Sequence, residues 1–181
     1  MAAITYTDKN KAGAAPLNQW RDTDANEVKA SVNKIYTVNN IGVFAHLVTP
    51  AGTSVTEAGV YVPIEGMFEN DPSEGFTAVA TPAIRYDGAN TLYFEIDAHA
   101  TVKSSASSTT ITAGIKKNGT LVVSTVMSIF AKTATEACNF SGTSVIELEE
   151  DDEVQLVVTA DKVATITFDN ITATIRPFLL G

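Results

Sequence analysis

The stretch Thr110 to Val126, T-I-T-A-G-I-K-K-N-G-T-L-V-V-S-T-V, limits the possible folds of this chain more than any other. Two apolar runs meet there across Asn118 and Gly119. Both residues tolerate the positive φ of a type I′ turn, whose twist matches that of paired strands, so the stretch predicts a β-hairpin. With Asn118 and Gly119 as the loop, Ile115 is expected opposite Val122, Ala113 opposite Ser124 and Ile111 opposite Val126. That face is largely apolar. The other face pairs Lys116 with Leu121 and Thr112 with Thr125 and is half polar.

Period-two alternation extends on both sides of the hairpin. Val60, Val62 and Ile64 alternate, then Phe76, Ala78 and Ala80, then the long run Leu92, Phe94, Ile96, Ala98, Ala100, Val102. Tyr93, Glu95, Asp97, His99, Thr101 and Lys103 fall on the opposite face, as in a half-buried antiparallel strand. Clusters of Gly, Pro, Asn, Asp and Ser at 70–75, 87–90 and 104–108 mark turns. After a polar turn at 132–136, strands are expected at Asn139–Leu148, Val154–Thr159, Val163–Phe168 and Ile171–Phe178. About eight or nine strands joined by turns, without helices between them, predict an all-β, antiparallel fold over residues 59–181, a β-sandwich or jelly roll. The 45% hydrophobic and 18% charged composition, rich in Thr, Val and Ala, suits that class.

What precedes the sandwich reads differently. Residues 1–21 are polar and Ala-rich, with no sustained periodicity, and read as an extended arm. Ile4, Tyr6, Leu17 and Trp20 have no core of their own there and need a cover. A partner chain would supply it, which makes them candidate anchoring residues; the alternative is that Trp20 folds back onto the chain's own helix. At Asp24 and Glu27 a capping-box-like start appears, followed by Ala25, Val28, Val32 and Ile35 at spacings of three and four. These predict a helix from about Ala25 to Tyr36 within a neck over 22–38. Its apolar seam is narrow and such a helix is marginal alone. Self-association through Val28, Val32 and Ile35 and packing on the β-domain both answer that need. Residues 39–58 read as a connector, too apolar for a free linker, that forms a short strand or a plug.

Few functional chemistries fit these residues. The formal net charge of -9 opposes binding to a phosphate backbone, so no nucleic-acid partner is expected. The first residues lack the apolar stretch of a signal peptide, and nowhere do about 18 apolar residues run together, so no membrane insertion is expected. The single cysteine, Cys138, reads as a small buried hydrophobe. His46 and His99 sit in no zinc-binding spacing, and no nucleophile elbow, phosphate loop or dinucleotide fingerprint is present. Neither an enzyme activity nor a cofactor is therefore expected. His99 shares its face with Glu95 and Asp97, an arrangement for acid–base work, a hydrogen-bonded polar interface or a simply solvated face. The run Glu149 to Glu153 lacks the ligand spacing and glycine of a calcium loop and reads as a solvated turn. Tyr61, Tyr86, Tyr93, Phe68 and Phe76 read as core first and as a sugar-stacking groove second.

Three segments carry a family resemblance: Gly114 to Val122 (G-I-K-K-N-G-T-L-V), Ser141 to Val158 (S-G-T-S-V-I-E-L-E-E-D-D-E-V-Q-L-V-V) and Ile171 to Leu180 (I-T-A-T-I-R-P-F-L-L). In that order they resemble the late strands of tumour-necrosis-factor-like and complement-globular-head-like jelly rolls, although the 149–153 turn lacks the family's glycine and no collagen stalk is present. That resemblance implies a homotrimer. The leader W-R-D-T-D-A-N-E-V-K-A-S-V-N (Trp20 to Asn33) is similar to a helical segment of fibre-type virion proteins in tailed bacteriophages, including crAss-like phages. It implies a head fibre or capsid decoration protein of the virion, assembled in the host cytoplasm, with other virion proteins as partners of the arm. A tail fibre, or a receptor- or carbohydrate-binding module meeting a host-surface glycan, is the alternative.

Overall fold

The computed structural model describes residues 43–178, apart from 73, 74 and 81. The expected arm with Ile4, Tyr6, Leu17 and Trp20, and the expected helix with Val28, Val32 and Ile35, lie outside the described residues. In chain order the first strands are β1 (Val43–Pro50), β2 (Gly52–Val55), β3 (Val62–Pro63), β4 (Gly66–Pro72), β5 (Phe76–Ala80), β6 (Ala83–Tyr86) and β7 (Leu92–Ser104). Then come β8 (Thr109–Lys117), β9 (Thr120–Leu121), a single 3₁₀ turn η1 (Val123–Thr125), β10 (Met127–Ala131), β11 (Cys138–Leu148), β12 (Glu153–Ala160) and β13 (Ala164–Pro177).

Two antiparallel sheets result. The first runs β11-β7-β13-β1-β4, with β2 also on β13; the second runs β10-β8-β12-β6-β5, with β3 on β12 and β9 on β8. From β7 onward the chain passes between sheets at β7/β8, β10/β11, β11/β12 and β12/β13, which makes the sandwich a jelly roll. Alternation decides which side chains enter the core. On β7, Phe94, Ile96, Ala98, Ala100 and Val102 are buried, while the intervening residues are half-buried or exposed. Fully burying a side chain the size of Phe94 or Phe168 stabilises the fold by about 1.5–3 kcal/mol.

The expected sandwich is present, but three local expectations change. The stretch 39–58, expected as a connector with a short strand or a plug, carries two strands, β1 and β2, and both pair with β13. The strands expected at Val163–Phe168 and Ile171–Phe178 form one, β13. A bulge after Phe168 places Asp169 and Asn170 together outside, so Phe168 and Ile171 both stay buried across the broken alternation. Asn170 Oδ1 accepts the Thr101 N–H at 3.0 Å and fills the gap in the ladder.

The third change concerns the hairpin. Asn118 (φ 50°) and Gly119 (φ 78°) form the expected left-handed turn, and Lys116 pairs with Leu121 as expected. Val122 N–H donates to Ile115 O at 2.9 Å, which keeps Ile115 opposite Val122. There the ladder ends. Ala113 faces Met127 rather than Ser124, Ile111 faces Ile129 rather than Val126, and Thr112 faces Ser128 rather than Thr125. The chain spends the intervening residues on η1, because the Thr125 hydroxyl takes over the backbone: it donates to Val122 O at 2.7 Å and accepts from Ile115 N–H at 2.9 Å.

The sandwich has two poles. At one, which we call the stem pole, β1 begins at Val43 opposite Ile175 and β13 ends at Pro177 opposite Phe94. The Asn118–Gly119 turn and the acidic turn between β11 and β12 lie at that pole too. At the other, the crown pole, lie the links β7–β8, β10–β11 and β12–β13.

Candidate functional site

The outward face of β11, β7 and β13 is a regular three-stranded surface. Its cross-strand rows read Val145–Glu95–Arg176, Thr143–Asp97–Thr174, Ser141–His99–Thr172 and Asn139–Thr101–Asn170. Most of these side chains are short. The charged ones bind each other: Arg176 Nη2 donates to Glu95 Oε1 at 2.7 Å, Lys103 Nζ meets Asp169 Oδ2 at 2.6 Å, and His99 Nε2 lies 3.3 Å from Asp97 Oδ2. Thr143 donates to Asp97 Oδ1 and Thr101 to Asn139 Oδ1. At the stem pole the face ends in exposed apolar groups, Tyr93, Val145 and Phe178, with Phe178 N–H bonded to Tyr93 O.

His99, Asp97 and Glu95 therefore do share a face, as the alternation requires, but as members of a hydrogen-bonded sheet surface. Glu95 is held by Arg176, and His99 is more than half exposed. No three His, Cys, Asp or Glu side chains gather to hold a metal among the described residues. His46 stands on β1 in register with Thr172, in the same row as His99.

The acidic turn departs from the solvated reading at one residue. Glu149, Glu150, Asp151 and Glu153 are exposed, but Asp152 is buried. Its Oδ2 accepts the Glu149 N–H at 2.7 Å and binds Lys117 Nζ at 2.7 Å, and its Oδ1 accepts Asn118 Nδ2 at 2.6 Å. Asn118 Oδ1 accepts the Glu153 N–H in return, at 2.8 Å. Burial opposes ionisation of Asp152, but the Glu149 N–H, Lys117 and Asn118 outweigh it and hold the carboxyl below the ordinary range. The two turns are thus locked to each other. No residue spacing announces this, since only the fold shows which of five consecutive acids faces Lys117.

The aromatic residues split. Phe76, Tyr86 and Phe94 form a buried trio with ring centroids 5.0–5.4 Å apart, and the Tyr86 hydroxyl donates to Asn90 O. Tyr93 lies outside on β7, so the five aromatics line no common groove. Cys138 is buried, and burial, with Glu136 nearby, pushes its thiol up.

At the crown pole, Ser105–Ser108, Lys132–Ala137 and Asp161–Val163 are knitted together. Lys162 Nζ donates to Ser108 O at 2.6 Å, Ser108 N–H to Lys132 O at 3.0 Å and Thr135 N–H to Ser104 O at 2.8 Å. Ser108 (φ 51°) and Thr135 (φ 65°) both occupy the left-handed region, uncommon for a β-branched residue such as Thr135. Val163 is 66% exposed.

Comparison with solved structures places this architecture. The structure of Eiger TNF from S. frugiperda aligns over 75% of this chain and 92% of its own length, at 10% identity and a TM-score of 0.52. The described sandwich has the tumour-necrosis-factor fold. Murine APRIL aligns over 75% of this chain and 98% of its own, at 13% identity and a TM-score of 0.47. No family model and no curated protein sequence matches the chain. At such identity the likeness belongs to the fold and leaves function to the surfaces just described.

Proposed function

We propose that this chain is a homotrimeric, non-enzymatic structural protein of a tailed-phage virion, a head fibre or capsid decoration protein. Ile4, Tyr6, Leu17 and Trp20 anchor it to other virion proteins, Val28, Val32 and Ile35 pack the neck, and the tumour-necrosis-factor-like sandwich is the projecting head. The observation that carries the reading is the polarity of the sandwich. The chain enters at Val43 and leaves at Pro177 on the stem pole, while the three knitted links stand at the opposite end. Such a head is mounted from one side and displayed from the other. The leader's similarity to the helical segment of phage fibre proteins supports the virion assignment.

Within the trimer, the outward face of β11, β7 and β13 meets its copies. Glu95–Arg176 and Asp169–Lys103 are already paired, so covering the face leaves few ions without partners, and Tyr93, Val145 and Phe178 supply apolar area. A closed cyclic arrangement of three gives each copy the same contact. Sedimentation analysis of the full chain is expected to show a species of three 19.1 kDa chains at micromolar concentration. Tyr93→Asp combined with Val145→Asp should shift it towards monomer. A stable wild-type monomer at that concentration overturns the trimer.

The crown pole favours a second role for the same head, as a tail-fibre tip or a host-surface glycan receptor, because Thr135 is held there in a costly backbone conformation. A glycan array and a host-adsorption assay test this role. Absence of binding in both removes it and leaves the structural role in place.

A further inference from the structure

The core of the sandwich has two parts, with Leu156 packed against both. Its buried residues fall into two clusters, one towards the crown around Ile111, Ile166 and Phe168 and one towards the stem around Phe76, Tyr86 and Phe94. Between them lies a cavity of about 180 Å³. Its origin can be read from the register. Gly142, Ala98 and Ala173 stand side by side across β11, β7 and β13 on the inward side, and Ala113 of β8 lines the cavity from the other sheet. Small residues are thus grouped where the two layers should interdigitate. Interiors otherwise leave few voids larger than a water molecule.

We infer that this inter-sheet cavity is a binding site for a compact apolar molecule, of the size of a single aromatic ring or a short branched hydrocarbon. His99 stands at its edge, no Asp, Glu, Lys or Arg lines it, and Ile96, Ile115, Phe140, Leu156 and Met127 supply carbon and sulfur walls. The hydroxyls at its rim are engaged. Thr125 is held between Ile115 N–H and Val122 O, and Ser144 Oγ by Ser124 O at 3.1 Å and Ser124 Oγ at 3.3 Å, while the Thr143 hydroxyl turns away to Asp97 on the outward face. A cavity with satisfied polar neighbours holds water poorly, and an engineered apolar cavity of about 150 Å³ in another protein stays dry and takes benzene or xenon.

The same geometry provides a way in. The seam between η1 and β11 is held by the Ser124–Ser144 contacts, and the Met127 thioether lies where a side chain at residue 142 would sit. Ser124, which lines the cavity, is exposed, so the cavity reaches the surface along this seam. The three-residue break in the hairpin is therefore the door of the site.

The test uses the full-length chain with benzene as the probe. Benzene at ten times its dissociation constant should raise the folded-to-unfolded ratio about elevenfold, read as a rise in melting temperature, and should shift the methyl resonances of Ala98 and Met127. Ala98→Ile fills the cavity and should abolish the rise in melting temperature and the Met127 shift; Ala113→Val does so from the other sheet if the first variant fails to fold. Ser144→Ala, with the latch removed, should speed exchange of benzene severalfold. A wild-type protein indifferent to saturating benzene overturns the proposal. So does a benzene response that survives in a folded cavity-filling variant.

Discussion

Replacing Asp152 tests how the stem pole is held together. Asp152→Ala removes the acceptor of the Glu149 N–H, the Asn118 amide and the Lys117 ammonium at once. Lys117 is partly exposed and still donates to Glu147 O at 2.8 Å, so it rehydrates at little cost. The two remaining donors each lose a hydrogen bond to a charged acceptor, about 1–1.5 kcal/mol apiece after solvent compensation, for a total of about 2–3 kcal/mol. At about 3 °C per kcal/mol for a head of this size, the melting temperature should fall by about 6–9 °C. Asp152→Asn keeps the shape and one acceptor and should cost about half as much. The pH dependence fixes the cause. The carboxyl of Asp152 is held below the ordinary 3.8 in the folded chain, so its contribution is full above that value and is lost as pH falls through the folded value. The gap between wild type and Asp152→Asn, measured by urea unfolding, should therefore be widest near neutrality and should close in acid. A variant as stable as wild type at pH 7, or a gap unchanged at pH 2, would refute the lock between the two turns.

Two further substitutions address the hairpin itself. Thr125→Val removes the hydroxyl that holds Ile115 N–H and Val122 O, and should cost about 1–2 kcal/mol by chemical denaturation, with faster hydrogen exchange at Ile115. Gly119→Ala meets no atom within 4 Å, so its cost should be purely conformational, about 1–2 kcal/mol for a left-handed residue, with the oligomeric state unchanged.

The sandwich was legible because period-two alternation is long and clean on β7, β8 and β11, and because the Asn118–Gly119 turn sets its own register. The register failed where a side chain outcompeted a ladder. Val122, Ser124 and Val126 alternate just as a strand would, and only the Thr125 hydroxyl, bonded to Ile115 N–H across the hairpin and to Val122 O on its own segment, diverts the chain. β13 looks like two strands for a related reason: two outward residues in succession, Asp169 and Asn170, resemble a turn, and only the bond from Asn170 to the neighbouring strand makes them a bulge. The buried member of the acidic run was hidden because five consecutive acids carry no mark of which one faces a lysine. The cavity was hidden too. Alanines on an inward face look like ordinary core, and their grouping emerges only once four strands are set in register.

The antiparallel pairing of β1 carries a mechanical consequence. β1 begins at the stem pole, where the leader joins it, and is hydrogen-bonded along both edges, over seven register pairs with β4 and four with β13. A pull on the leader, resisted at the crown, runs along the strand axis and across every one of those bonds together. The load is shear, and the bonds share it instead of opening in succession. Single-molecule stretching between the leader and the crown should give one abrupt rupture at high force, the response of a fitting made to bear tension.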